Sequence, residues 1–250
     1  MSLCKDCIKG VRHEGTPEGT IETIGEVKCY VGTPSGEYAR EKAILFLPDV
    51  FGIELINAQL LVDDFARNGF KTIAIDYLNG DPIPADALLG VNFDTKAWFS
   101  KHGDDATRPN VDKVIAALQA QGVTEFGATG YCFGAPYAFD LAFKNIIKVT
   151  VVSHPSLLVI PQDLEKYKRD STAPLLINSC EIDSQFPPPS QAQADAILGG
   201  GQQFTDTYRR EYFEGCTHGF AVRGDLSIPQ VKAGKEGSFE ASVKFFKQFL

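Results

Sequence analysis

Gly130-Tyr131-Cys132-Phe133-Gly134 sits between an apolar run that reads as a strand (residues 126–129) and one that reads as a helix (residues 135–143). A Gly-x-nucleophile-x-Gly pentapeptide at a strand-to-helix junction is the signature of a nucleophile elbow. The turn is sharp enough to crowd the backbone, and small neighbours let the central residue take a strained conformation with its head pointing into a cleft. Here the central residue is a cysteine. The competing reading is a buried structural thiol beside two loop glycines, since free cysteine is commonly buried.

Working outward, the chain alternates strands and helices. Residues 21–31 read as a strand, broken by Gly32-Thr33-Pro34-Ser35-Gly36. Residues 43–47 form a continuous apolar run ending at Pro48, as a buried parallel strand does. Residues 54–68 carry Leu55, Leu61, Val62, Phe65 and Ala66 near helical spacing, stopped by Gly69, and residues 70–75 give the next strand. A Pro-, Gly- and Asp-rich loop over 77–90 precedes a helix over 111–121. After the elbow come strands over 148–153, 174–178 and 207–213, and helices over 190–198 and 236–249. This order predicts a single α/β domain over 21–250, with a mostly parallel central sheet flanked by helices, behind an N-terminal segment of residues 1–20.

With 250 residues, 44% of them hydrophobic, the chain can bury one sizeable core. A net charge of -8 without Lys/Arg blocks argues against nucleic acid or an anionic membrane as partner. No apolar run follows Met1 and none reaches the ~18 residues of a membrane span, so the expectation is a soluble cytoplasmic protein. Six cysteines lie scattered, without the density of a secreted disulfide scaffold. Cys4-x-x-Cys7, with His13 six residues on, supplies half of a zinc site, but a matching second pair is not evident, and two reduced thiols are expected instead.

An elbow needs an acid and a histidine after it, in that order, on loops that follow strand ends. Of the four histidines only His154 and His218 follow Cys132. His218 lies in Gly215-Cys216-Thr217-His218-Gly219-Phe220, between the last strand and the last helix; Asp183 follows the strand over 174–178, 51 residues after Cys132 and 35 before His218. Cys132 would attack as thiolate, His218 would move the proton, and Asp183 would fix the imidazole tautomer. A turn or cap role for Asp183 and a solvated loop role for His218 are the alternatives. His154, followed by Pro155, reads as pocket lining or as a turn residue. The oxyanion donors expected by position are the N–H of Phe133 and, from the loop after the strand over 43–47, that of Val50.

Together, the elbow, Asp49-Val50-Phe51-Gly52, Asp183 and His218-Gly219-Phe220-Ala221 resemble the dienelactone hydrolases (carboxymethylenebutenolidases) of the α/β-hydrolase superfamily, from about residue 43 to the C-terminus. The segment over 4–19 looks like that of the eukaryotic, especially fungal, members. The resemblance implies a Cys-Asp-His triad and an acyl-enzyme, hydrolysing a small ester or lactone that bears a carboxylate, without metal or cofactor. The expected assembly, monomer or homodimer, does not follow from it. It also implies that Asp49, where the family usually has Glu, faces the resting nucleophile, and that Arg223 binds the substrate carboxylate. Arg223 stands one residue late, with Val222 in the expected slot, and a second family arginine has no counterpart near residues 90–98. The rival readings are a thioesterase, a non-catalytic binding module on the same fold, and a redox sensor in which Cys180 or Cys216 resolves an oxidised Cys132.

Overall fold

The computed structural model describes residues 11–84, 87 and 93–250; Cys4, Cys7 and part of the loop expected over 77–90 lie outside them. An eight-stranded sheet among the described residues runs in the order β1-β2-β4-β3-β5-β6-β7-β8. Its strands are β1 (Thr20–Ile24), β2 (Val27–Gly32), β3 (Lys42–Leu47), β4 (Thr72–Ile75), β5 (Glu125–Tyr131), β6 (Val149–Ser153), β7 (Leu175–Ile182) and β8 (Tyr208–Thr217). All pairings from β4 to β8 are parallel; β1 and β2 join antiparallel at one edge. This is the α/β-hydrolase arrangement expected from the sequence.

The single strand expected over 21–31 is instead a hairpin. Gly25 and Glu26 both adopt left-handed backbone (φ 59° and 67°), the two-residue turn whose twist matches the flanking strands. The helices are α1 (Ile56–Arg67), α2 (Thr95–Lys101), α3 (Asp104–Ala120), α4 (Ala135–Phe143), α5 (Gln162–Asp170), α6 (Pro188–Gly199), α7 (Phe220–Arg223) and α8 (Pro229–Phe249). None is long and apolar enough to cross a membrane.

The alternation of side chains along β3 splits the core between the two faces of the sheet. Ala43, Leu45 and Leu47 pack on the side of α3, α4 and α5, with Val114, Leu118, Phe139 and Leu164. Ile44 and Phe46 pack on the side of α1 and α8, with Val62, Phe65, Phe239 and Phe246. With both faces covered, every residue of β4 and β6 is buried, hence their β-branched, apolar composition. Ahead of β1 the chain is pinned to α1: Arg12 Nε meets Asp64 Oδ1 at 2.7 Å, and the Glu18 and Gly19 N–H groups donate to the buried Asp63 carboxylate.

Candidate active site

Five segments converge at the carboxyl ends of β3, β5, β6, β7 and β8, the edge where open parallel sheets place their sites. Cys132 follows β5 with φ 50°, the strained elbow conformation expected of it. Both glycines of the pentapeptide are needed for space. A Cβ on Gly134 would lie 2.1 Å from the Leu47 carbonyl oxygen, and one on Gly130 would lie 2.6 Å from that of Gly134. The start of α4 therefore rests directly on the end of β3. That contact sets the end of β3, from which the Val50 loop leaves, against the elbow.

Asp183 and His218 meet through the pairing of β7 with β8. A register irregularity between Cys180 and Ile182 ends in the Ile182–Thr217 pair, and the His218 N–H donates to the Ile182 carbonyl at 3.1 Å. His218 Nδ1 then stands 2.9 Å from each Asp183 carboxylate oxygen. Asp183 Oδ1 also accepts from the N–H groups of Gln185 and Phe186, at 2.8 and 3.2 Å. It is therefore a turn residue and a histidine partner at once. Burial by itself lowers the His218 pKa, but hydrogen bonds to Asp183 and to the Cys132 thiol, with the charges of both, raise it to about 9.

The remaining residues fall differently from expectation. Asp49 is buried, and its contacts are the Phe51 N–H (3.0 Å to Oδ1) and Arg223 Nε (3.6 Å from Oδ2). Burial pushes its pKa up against the opposing pull of Arg223, the Phe51 N–H and His218. Arg223, the last residue of α7, lies over the Phe51 ring with its guanidinium carbon 5.0 Å from the centroid. The group expected to meet a substrate carboxylate is thus already facing Asp49. His154 does not line an open pocket: it is wholly buried, its ring centroid 5.0 Å from that of His218 and set nearly edge-on to it. Burial first, then the charges of His218 and Arg223, hold its pKa well below the ordinary value, and neither ring nitrogen has a hydrogen-bond partner among the described residues. Two residues without an expected role join the site. Ser156 Oγ lies 3.4 Å from Cys132 Sγ, and the Tyr77 hydroxyl, stacked near Phe133, donates to the Pro48 carbonyl at the start of the Val50 loop. Cys180 and Cys216 are buried with other partners, Asp183 Oδ2 at 3.9 Å and the Gln230 carbonyl at 3.5 Å.

Residues 27–250 match the model of the dienelactone hydrolase family. The chain belongs to that family. The match begins at Val27, ahead of the motifs that carry the resemblance. "Hydrolase pyvD" of Aspergillus violaceofuscus is 33% identical over 98% of this chain and 96% of its own length. "Dienlactone hydrolase 1" of Gibberella moniliformis is 31% identical over 99% of this chain and 94% of its own. In fold, the chain resembles a solved dienelactone hydrolase-like promiscuous phosphotriesterase from metagenomic libraries, with a TM-score of 0.65 at 18% identity, covering 92% of this chain and 98% of that one. As a dienelactone hydrolase family member, the chain is a carboxylic-ester hydrolase.

Proposed function

We propose that the protein hydrolyses a small ester or lactone through a covalent thioester on Cys132, with His218 as the acid–base and Asp183 as its orienting partner. One observation carries the reading: the His218 ring is held between the Asp183 carboxylate, 2.9 Å from Nδ1, and the Cys132 thiol. Asp183 accepts from Nδ1, so the other ring nitrogen is the one that exchanges a proton with the sulfur. Attack of the thiolate on the carbonyl carbon moves an electron pair onto the carbonyl oxygen. The N–H groups of Val50 and Phe133 are the proposed donors to that oxyanion, a role supported by the start of α4 resting on the end of β3, just ahead of the Val50 loop.

Collapse of the tetrahedral species breaks the C–O bond, and the alkoxide takes the proton from His218. In a lactone that alcohol stays tethered to the acyl group. Water, deprotonated by His218, then cleaves the thioester and returns the sulfur. Arg223 is the proposed contact for a carboxylate on the substrate, reached when the substrate competes with Asp49 for the guanidinium. The test is a panel of p-nitrophenyl esters, thioesters and unsaturated lactones assayed with wild type and Cys132→Ala. Loss of turnover on every hydrolysed substrate, with an unchanged circular dichroism spectrum, is the expected result. Full activity of Cys132→Ala would remove Cys132 as the nucleophile, and a preference for thioesters would make the protein a thioesterase.

A further inference from the structure

The turn after β6 touches the elbow twice. The Ser156 N–H donates to the Cys132 carbonyl at 3.2 Å, and the Ser156 hydroxyl lies 3.4 Å from the Cys132 sulfur. The chain reaches this position through left-handed backbone on both sides, His154 at φ 39° and Leu157 at φ 62°. Such conformations cost of order 1 kcal/mol or more at non-glycine residues and persist only where surrounding contacts hold them. Ser156 is 5% exposed, so its hydroxyl faces the sulfur rather than bulk water.

The sheet order makes the placement specific. β3, with the Val50 loop, flanks β5 on one side; β6, with this turn, flanks it on the other, followed by β7 and β8 with Asp183 and His218. Ser156 therefore meets the sulfur from the acid–base side, away from the proposed oxyanion donors. Its hydroxyl hydrogen rotates to suit its partner. Hydrogen bonds to Asp183, at Nδ1, and to the Cys132 thiol raise the His218 pKa to about 9, which favours the doubly protonated ring at neutral pH. A sulfur already facing one donor accepts from a second.

We propose that Ser156 is a positioning residue for the nucleophile: its hydroxyl donates to the Cys132 sulfur and, with His218, holds the thiolate in the attacking orientation. This rests on Cys132 being the nucleophile. Its backbone clamp on the Cys132 carbonyl survives side-chain truncation, so the hydroxyl can be tested by itself.

The experiment is the rate of Cys132 alkylation by iodoacetamide at pH 7, read by mass spectrometry on the peptide carrying Cys132, for wild type, Ser156→Ala, Ser156→Thr and Ser156→Val. Thr and Val share a shape and differ by the hydroxyl, so they decide the question even where the Ala variant fails to fold. Removing a hydrogen bond that orients and favours the charged sulfur slows its attack on the alkylating agent. Ala and Val are therefore expected to alkylate about three- to tenfold more slowly, with Thr within about twofold of wild type. Ala and Val reacting as fast as wild type, or Thr as slow as Val, would overturn the proposal. Alkylation needs no ester turnover, so this result stands apart from the Cys132→Ala assay that decides the hydrolytic mechanism.

Discussion

Asp49 Oδ2 and Arg223 Nε face each other across 3.6 Å, both without a hydrogen-bond partner among the described residues, and Asp49 is almost fully buried. Breaking such a pair by removing one member leaves an uncompensated buried charge. Arg223→Ala is expected to cost about 3 kcal/mol in urea unfolding, and adding Asp49→Asn to it should recover much of the loss. The same pair sets the expected response to substrate charge. Asp49→Asn frees the guanidinium, so KM for a carboxylate-bearing ester should fall, while Arg223→Ala should raise it by roughly tenfold or more, the worth of one charged hydrogen bond. Neutral esters should respond weakly to either change. Equal shifts for anionic and neutral esters would make Arg223 a support for the Phe51 loop instead. The pairing was not visible in the sequence, because Asp49 and Arg223 meet only once the loop after β3 and the short α7 are folded against each other. Cys132, Asp183 and His218 were legible because order and strand-end placement are local properties of the chain. Ser156 was not, since its reach depends on the left-handed backbone at His154 and Leu157.

At the scale of elements, the elbow depends on α4 lying against the end of β3 without a side chain between them. Gly134→Ala would put a Cβ 2.1 Å from the Leu47 carbonyl oxygen, which is backbone and has little room to yield. Overpacking of this kind costs about 1 to 3 kcal/mol, and a displacement near 1 Å at a reacting group costs about 100-fold in rate. The variant should therefore melt several degrees lower and lose most of its esterase activity. Wild-type turnover would mean that the elbow tolerates a wider turn. The parallel strands were readable because burial on both faces makes them continuous apolar runs, as in β3 and β6. α5 was not read: Gln162-Asp163-Leu164-Glu165-Lys166-Tyr167-Lys168-Arg169-Asp170 buries only Leu164 and Tyr167, too sparse a stripe to announce a helix. α3 starts seven residues ahead of the expected helix because Pro109 lies inside it rather than before it.

For the molecule as a whole, the His218 site couples stability to pH. A histidine raised from 6.5 to about 9 by folding stabilises the native state fully below pH 6.5, and that contribution is lost as pH rises through about 9. The shift corresponds to ~3 kcal/mol. Urea unfolding of wild type should therefore weaken by this order between pH 6.5 and 9.5 relative to His218→Gln, and parallel pH profiles of the two proteins would contradict the raised pKa. Rapid-quench mass spectrometry during turnover of an activated p-nitrophenyl ester would trap the covalent thioester on Cys132. The expected result is an adduct of the acyl mass on the peptide carrying Cys132, labile to hydroxylamine and absent from Cys132→Ala. Turnover with no adduct at any quench time, or an acyl group on another residue, would contradict it.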